Sequence, residues 1–238
     1  LITTKRASTG VSLNYDFEYG IEVPTKIPEN ETAVEYMSMY NEMIWNDSGN
    51  KAGNEYNTYS KDLIENYASL NKENPDKYPD VDWMELMLND FAPRQSHVFN
   101  LNAGSNHIST RVSIAYDNID AVYDNRGFER FTIRANNDVT INKYLSTTID
   151  LNYIRSIDSR PIMDFGYVDF RFPPIYTPYW SNGTIGPANT TGLNYYPVVK
   201  GDAGFNNNWN NRLSGKISVD LKPLDRKSTR LNSSHVSQ

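Results

Sequence analysis

The sequence has 238 residues, a net charge of −6, 38% hydrophobic residues, 17 tyrosines and no cysteine. This length allows a sizeable core, and the negative charge excludes a nucleic-acid partner, which needs a basic face. The lack of cysteine excludes disulfides and thiolate metal sites, and no apolar run reaches the 18 residues of a transmembrane helix.

The first predicted element is a β-strand in "VSLNYDFEYG", residues 11–20. Every second residue is apolar, and the residues between are small or polar. This alternation predicts a strand with one apolar and one wet face. A soluble sandwich explains such a strand, and so does a barrel wall between lipid and water.

A helical insertion is predicted next, within residues 27–95. "NETAVEYMSMYNEMIW" spaces its apolar residues three and four apart, as a helix requires. "SKDLIENYASL" repeats this spacing. "DVDWMELML" predicts a third, short helix for which Asp82 is a suitable N-cap.

Five further stretches alternate like the first: "HVFNLNAG", "HISTRVSIAYD", "RFTIRANNDVTI", "LSTTIDLNY" and "LSGKISVDL". The connections between the six strands run long, short, medium, short and long, with a tight turn at Asn142 and Lys143. All short turns therefore fall at one end of the sheet and the long loops at the other. Outer-membrane barrels have this asymmetry, whereas a soluble sandwich does not require it.

The second long connection, residues 156–212, is rich in proline, glycine, asparagine and aromatic residues and predicts an ordered loop. Aromatic rings and amides suit the C–H faces and hydroxyls of sugars, and also suit peptides. The candidate ligand contacts are Tyr176, Tyr179, Trp180, Asn182, Tyr195, Tyr196 and Trp209. The same rings could instead pack the loop or rest on a partner.

Catalytic and metal-binding motifs are absent from the sequence, so neither a catalytic residue, a metal nor a cofactor is expected. Neither a metal-binding nor a catalytic role is expected for His97 and His107, the aspartates 117, 120 and 124, or the loop aspartates 164 and 169. The histidines lack companion ligands, and the first aspartates lack EF-hand spacing. Spacing in a loop cannot set the carboxyl separation that a glycosidase needs.

The last segment, residues 225–238, is set apart from the fold. Its string "DRKSTRLNSSH" matches one reading frame of a widely used short-read sequencing adapter. Such a tail is left out of fold reasoning. Because Leu1 is not a natural start either, the sequence predicts an internal fragment of a longer protein.

The ordered motifs resemble one family. "LITTKR" before an amphipathic strand, then helices, then "DW" at Asp82 and Trp83, then "SHVFNLNAGSN" are similar to the SusC/RagA family of TonB-linked outer-membrane proteins. In that family "ILITTK" closes the plug domain and leads into the first barrel strand. The later strands match in order through residue 224. One departure is Ala103 beside Gly104, where the family often has two glycines.

The resemblance implies a 22-stranded barrel with a plug, in the outer membrane of Bacteroidetes-type bacteria. It implies import of oligosaccharides or peptides with a SusD-like surface lipoprotein, driven by a TonB complex and without catalysis. The implied fold class is all-β with a helical loop insertion: about six strands of an antiparallel transmembrane β-barrel, open in this chain and facing outer-membrane lipid. Residues 1–10 would end the plug, 11–224 would form barrel, and 27–95 and 156–212 would lie outside the cell.

An alternative of a different class is a secreted, soluble, β-rich carbohydrate-binding module. Such a module must cover the apolar strand faces in one closed core. Six strands cannot close a barrel and leave open edges. The covering of the apolar faces therefore discriminates between the two hypotheses.

Overall fold

The computed structural model describes residues 10–162, 172–187, 194, 196–200, 204–224 and 227–237, with side chains up to residue 222. These residues form one seven-stranded antiparallel sheet and four helices. The strands are β1 (Gly10–Glu22), β2 (Ala92–Gly104), β3 (Ile108–Asp120), β4 (Gly127–Asn142), β5 (Leu145–Pro161), β6 (Phe205–Leu224) and β7 (Lys227–Ser237). The helices are α1 (Ala33–Asp47), α2 (Lys61–Glu73), α3 (Trp83–Met87) and α4 (Tyr196–Lys200).

The sheet is a simple meander in which each strand pairs with the next along the chain. At one end lie the connections 23–91, 121–126 and 162–204, and at the other the turns 105–107 and 143–144. The predicted segregation of long loops and short turns is confirmed. The strands outline an open, partial barrel wall, so the predicted fold class is confirmed as well.

One face of the sheet is apolar and uncovered in the described part of the chain. Its central row, across six paired strands, consists of Tyr15, Phe99, Ile114, Ile133, Tyr153 and Leu213. Leu13 is 62% exposed and Leu213 52% exposed. Burial of apolar area normally drives a sheet to cover such a face, so this face requires an apolar medium or partner.

The opposite face is polar and is cross-linked between strands. The Ser96 hydroxyl donates a 2.8 Å hydrogen bond to Asp117, which also pairs with Arg130 at 3.0 Å. Further along, Asn136 donates to Asp150 at 2.8 Å. These bonds keep polar side chains satisfied on a surface that water can reach, as the alternating sequence predicts.

The buried core lies away from the sheet, in the two long connections, which together we name the cap (residues 23–91 and the described part of 162–204). One cluster contains Ala33, Met37 and Tyr67, from α1 and α2. A second cluster joins Trp83 and Met87 of α3 to Phe172 and Val199 of the other connection. All three predicted helices are present, and both Asp82 and Thr32 act as N-caps.

Several strands are longer than the alternation predicts. β2 begins at Ala92, and β5 and β6 reach Pro161 and Phe205, because their outer ends pair in register although polar residues interrupt the apolar pattern. Residues of the predicted tail form β7 on the free edge of β6, since an edge strand offers unpaired backbone groups to any adjoining segment. In the described residues no helix is long and apolar enough to cross a membrane.

Candidate functional site

The predicted ligand contacts fall into three places. Tyr176, Tyr179, Trp180 and Asn182 lie in the described stretch 172–187 of the cap, and Tyr196 begins α4. Tyr195 lies outside the described residues. Trp209, predicted in the loop, is within β6, in register with Ile157 on the apolar face, and is 63% exposed. The structure therefore separates Trp209 from the other candidates.

A tight turn carries Trp180 and Asn182. The Trp180 amide donates to the Thr184 carbonyl at 2.9 Å, and Gly183 takes a positive φ of 81° that glycine tolerates without strain. The Asn182 side-chain oxygen accepts from the Thr184 amide at 2.9 Å and its hydroxyl at 2.7 Å. Asn182 thus uses its acceptor to build the turn, and its amide NH₂ makes no hydrogen bond within the described residues.

Tyr179 and Tyr196 form the aromatic contact of this site. Their rings meet edge to face with centroids 5.4 Å apart, a favourable geometry for two aromatic rings. The Lys200 ammonium lies 5.8 Å from the Tyr196 centroid. Both tyrosines are half-buried, so each ring packs on the cap along one edge and leaves part of its surface to solvent.

Tyr176 belongs instead to a tyrosine cluster with Tyr36, Tyr40 and Tyr59. Tyr40 lies 5.8 Å from both Tyr36 and Tyr59, centroid to centroid. Burial, reinforced by the phenols of Tyr59, Tyr40 and Tyr176, raises the pKa of Tyr36 to about 12. Tyr36 and Tyr59 are in the first connection, 140 and 117 residues before Tyr176 in the chain. Their contact with Tyr176 is not predictable from the sequence, because only tertiary folding brings these rings together.

Hydrogen bonds and ring packing connect residues 172–187 to the helical insertion. The Asp76 carboxylate accepts from the Ser181 amide at 2.8 Å and from its hydroxyl at 2.6 Å. Trp83 packs on Phe172 with centroids 4.9 Å apart, and its indole N–H donates to the Pro173 carbonyl at 3.3 Å. These contacts position the rings of the second connection from the first.

Asp124 links three connections at the outer end of the sheet. It accepts from the Asn89 amide at 2.8 Å and pairs with the Lys200 ammonium at 2.9 Å. Burial raises the pKa of the Asp124 carboxyl, but the bonds from Asn89 and Lys200 outweigh burial and bring it below the ordinary value. Next to it, Asn125 has a positive φ of 59° and donates to the Val199 carbonyl at 3.0 Å. We name this group the Asp124 clasp (Asn89, Asp124, Asn125 and Lys200).

Three of the other titratable candidates have structural partners. Asp117 and Asp124 are engaged as described, and His97 lies 2.8 Å from the Tyr15 hydroxyl and packs on Phe17. In the described ranges no group of three histidines or acids could hold a metal ion. Asp164 and Asp169 lie outside the described residues.

Comparisons with known proteins agree with this architecture. No protein-family model matches the sequence. A TonB-dependent receptor of Formosa agariphila is 24% identical over 155 residues, which are 64% of this chain and 15% of the receptor. The resemblance to SusC/RagA-like TonB-dependent receptors is confirmed.

Solved structures show the same fold. The RagAB peptide transporter matches with a TM-score of 0.66 at 17% identity, over 97% of this chain and 28% of that chain. The RagAB peptide importer matches in its closed-closed state (TM-score 0.65, 17% identity) and in its open-open state (0.64, 16%), with the same coverage. This chain therefore spans less than a third of the receptor-like proteins that it matches.

Proposed function

We propose that the chain forms part of the wall and outer cap of an importer in the bacterial outer membrane. The importer takes up oligosaccharides or peptides, is energised through TonB and works with a SusD-like surface lipoprotein. No catalytic step is part of this function. The structural neighbours named as peptide transporters support peptides as one cargo class.

The observation that carries the proposal is the uncovered apolar face behind a hydrogen-bonded polar face. Val11 is 78% exposed and Tyr15 59% exposed, yet the apolar row continues across six strands. Lipid satisfies such a face, and a barrel lumen satisfies the polar one. A secreted carbohydrate-binding module would instead bury this face in its core, whereas the buried clusters here lie in the cap.

The cap faces the long-loop end, which is the outer side in barrels of this type. There we propose that Tyr176, Tyr179, Trp180, Asn182 and Tyr196 contact the cargo or the lipoprotein. Half-buried rings lose little conformational entropy on binding, because their packing already fixes them. The free NH₂ of Asn182 supplies a donor for a sugar hydroxyl or a peptide carbonyl.

Uptake by cells that express the full-length protein and its lipoprotein partner tests this function. Fluorescent oligosaccharide and peptide pools should enter wild-type cells, and a protonophore should abolish their entry. The double variant Tyr179→Ala, Trp180→Ala should reduce uptake, whereas Tyr56→Ala, an exposed tyrosine elsewhere on the cap, should not. Entry that persists with the protonophore, or that needs no lipoprotein, would contradict the proposal.

A further inference from the structure

A cleft of about 310 Å³ lies at the outer end of the sheet, beside the connection between β3 and β4. Its lining includes five residues that belong neither to the two buried clusters of the cap nor to the candidate ligand contacts: Phe91, Asn118, Asp120, Gly127 and Glu129. Asn89, Asp124 and Asn125 of the Asp124 clasp form another side of it. The ends of β3 and β4 therefore form one wall of the cleft, and the loop between these strands, which the Asp124 clasp holds in place, forms another.

The strand register places this cleft on the apolar side of the sheet. Asn118 pairs with Glu129, two residues beyond the pair of Tyr116 and Phe131. Residues two apart on a strand point to the same face and are about 7 Å apart. The polar groups of the cleft therefore lie directly beyond the last aromatic row of the apolar face, and point away from the polar face.

The polar side chains of the cleft that lack a partner in the described part of the chain are two carboxylates and one amide. In the described part of the chain, the side chains of Asn118, Asp120 and Glu129 make no hydrogen bond or ion pair, whereas the neighbouring Arg126 is engaged by Asp158. Phe91, 52% exposed, adds an open aromatic ring. Carboxylates and amides that accept from hydroxyls, beside an aromatic face, suit a saccharide.

The geometry points to a binding site for the uncharged saccharide head group of a membrane glycolipid. This inference rests on the proposed function, because it takes the apolar face to lie in lipid; the cleft then falls at head-group depth. Two unpaired carboxylates repel a phosphate, so phospholipid head groups and phosphorylated sugars are disfavoured. A sugar hydroxyl, in contrast, donates to each carboxylate without a charge penalty.

Gly127 keeps the cleft open. It pairs with Asp120 at its base, and a Cβ built on it would lie 3.5 Å from the Asp120 carboxylate and 3.4 Å from the Ile119 carbonyl. These are contact distances that leave the backbone undisturbed. Gly127→Val is therefore expected to fold and to fill part of the cleft with two methyl groups.

Native mass spectrometry of the full-length protein that contains this chain, released from nanodiscs, tests the inference. The discs contain phosphatidylcholine with equal fractions of digalactosyldiacylglycerol and phosphatidylglycerol. Wild type should retain the galactolipid. Glu129→Ala should reduce its retention about tenfold, the effect of losing one charge-assisted hydrogen bond. Gly127→Val should also reduce it, because the added methyl groups occupy part of the cleft. Thr110→Ala, on the same face near the opposite end of β3, is the matched control and should retain it.

A charge-neutral double variant separates the effect of side-chain charge from the effect of side-chain size. Asp120→Asn with Glu129→Gln keeps the size of both side chains but removes the repulsion, so phosphatidylglycerol retention should rise. Equal retention of both lipids by wild type, or no effect of Gly127→Val, would overturn the inference. Soluble digalactose that binds as well as the lipid would also overturn it, in favour of a free sugar site. A chain that never enters the discs would instead contradict the proposed function.

Discussion

Asp124 joins the three outer connections of the sheet. It bonds Asn89 of the first connection and Lys200 of the last, while its own segment joins β3 to β4. We expect Asp124→Asn to weaken the clasp by about 1 kcal/mol, because the carboxylate is 39% exposed and solvent screens the ion pair. Hydrogen exchange should then quicken at Asn89 and in α4. Glu73→Gln, at the end of α2, is the control and should leave both unchanged.

The same carboxylate makes the clasp sensitive to acid. Its pKa is lower in the folded chain than its ordinary value, so its stabilisation is complete above the ordinary range and lost as the pH falls through the folded pKa. Exchange in α4 should therefore quicken below about pH 4. In Asp124→Asn that acid-dependent step should be absent; an unchanged step would mean that another group is responsible.

Tyr67 makes the stability of the cap sensitive to alkaline pH, in contrast to the acid sensitivity that Asp124 confers. Burial, then the nearby Asp80, raises its pKa to about 12, and its hydroxyl donates to the Pro79 carbonyl at 2.8 Å. The raised pKa means that its stabilisation is complete below the ordinary value of about 10 and lost as the pH rises toward 12. Exchange of α2 amides, corrected for the intrinsic rate, should quicken over that interval. Tyr67→Phe should reduce the change, and Tyr56→Phe should not.

The contacts of individual residues differ in how far the sequence predicts them. Asp82 could be predicted as an N-cap because capping is local, and its carboxylate does accept from the Met84 and Glu85 amides. The contact of Tyr179 with Tyr196 could not, because it depends on how a long loop returns on itself. The sequence predicts Trp209 in that loop, because asparagines interrupt the apolar pattern around it. Backbone pairing with β5 nevertheless extends the strand through Trp209.

At the scale of elements, α1 and α2 offer a direct comparison of caps. Thr32 and Glu35 form a reciprocal capping box on α1, whereas Ser60 caps α2 with one hydrogen bond to the Leu63 amide. Thr32→Ala should cost about 1 kcal/mol and speed amide exchange in the first turn of α1. Ser60→Ala should act on α2 alone. If both variants loosen both helices equally, the helices unfold as one unit and local capping does not control them.

The strands were the most predictable elements, and their ends the least. Alternation fixes the face of every residue in β1, since a shift of one residue would turn its apolar side to water. The outer ends of β2 and β6 lack that constraint, because polar residues are tolerated there on both faces. Their extent follows from backbone pairing, which a single sequence does not display.

At the scale of the whole molecule, the two faces of β1 provide the decisive comparison between a membrane wall and a soluble module. Leu13 lies on the apolar face in register with Leu101, and Asn14 is its neighbour on the polar face. An arginine at bilayer depth costs about 2–4 kcal/mol on the lipid side and far less on the lumen side. Leu13→Arg should therefore impair folding of the full-length protein into phosphatidylcholine vesicles, measured by urea titration of its heat-modifiable gel shift.

Asn14→Arg is the matched control, because Asp16, which Asn14 contacts at 3.1 Å, can pair with the new charge. A large cost for Leu13→Arg beside a small one for Asn14→Arg places the apolar face in lipid. Equal costs would contradict that placement. If Leu13→Arg instead folds in water and becomes more soluble without detergent, a soluble module is favoured. In that case the apolar face needs no lipid, and the wild-type protein merely aggregates through the exposed apolar row of that face.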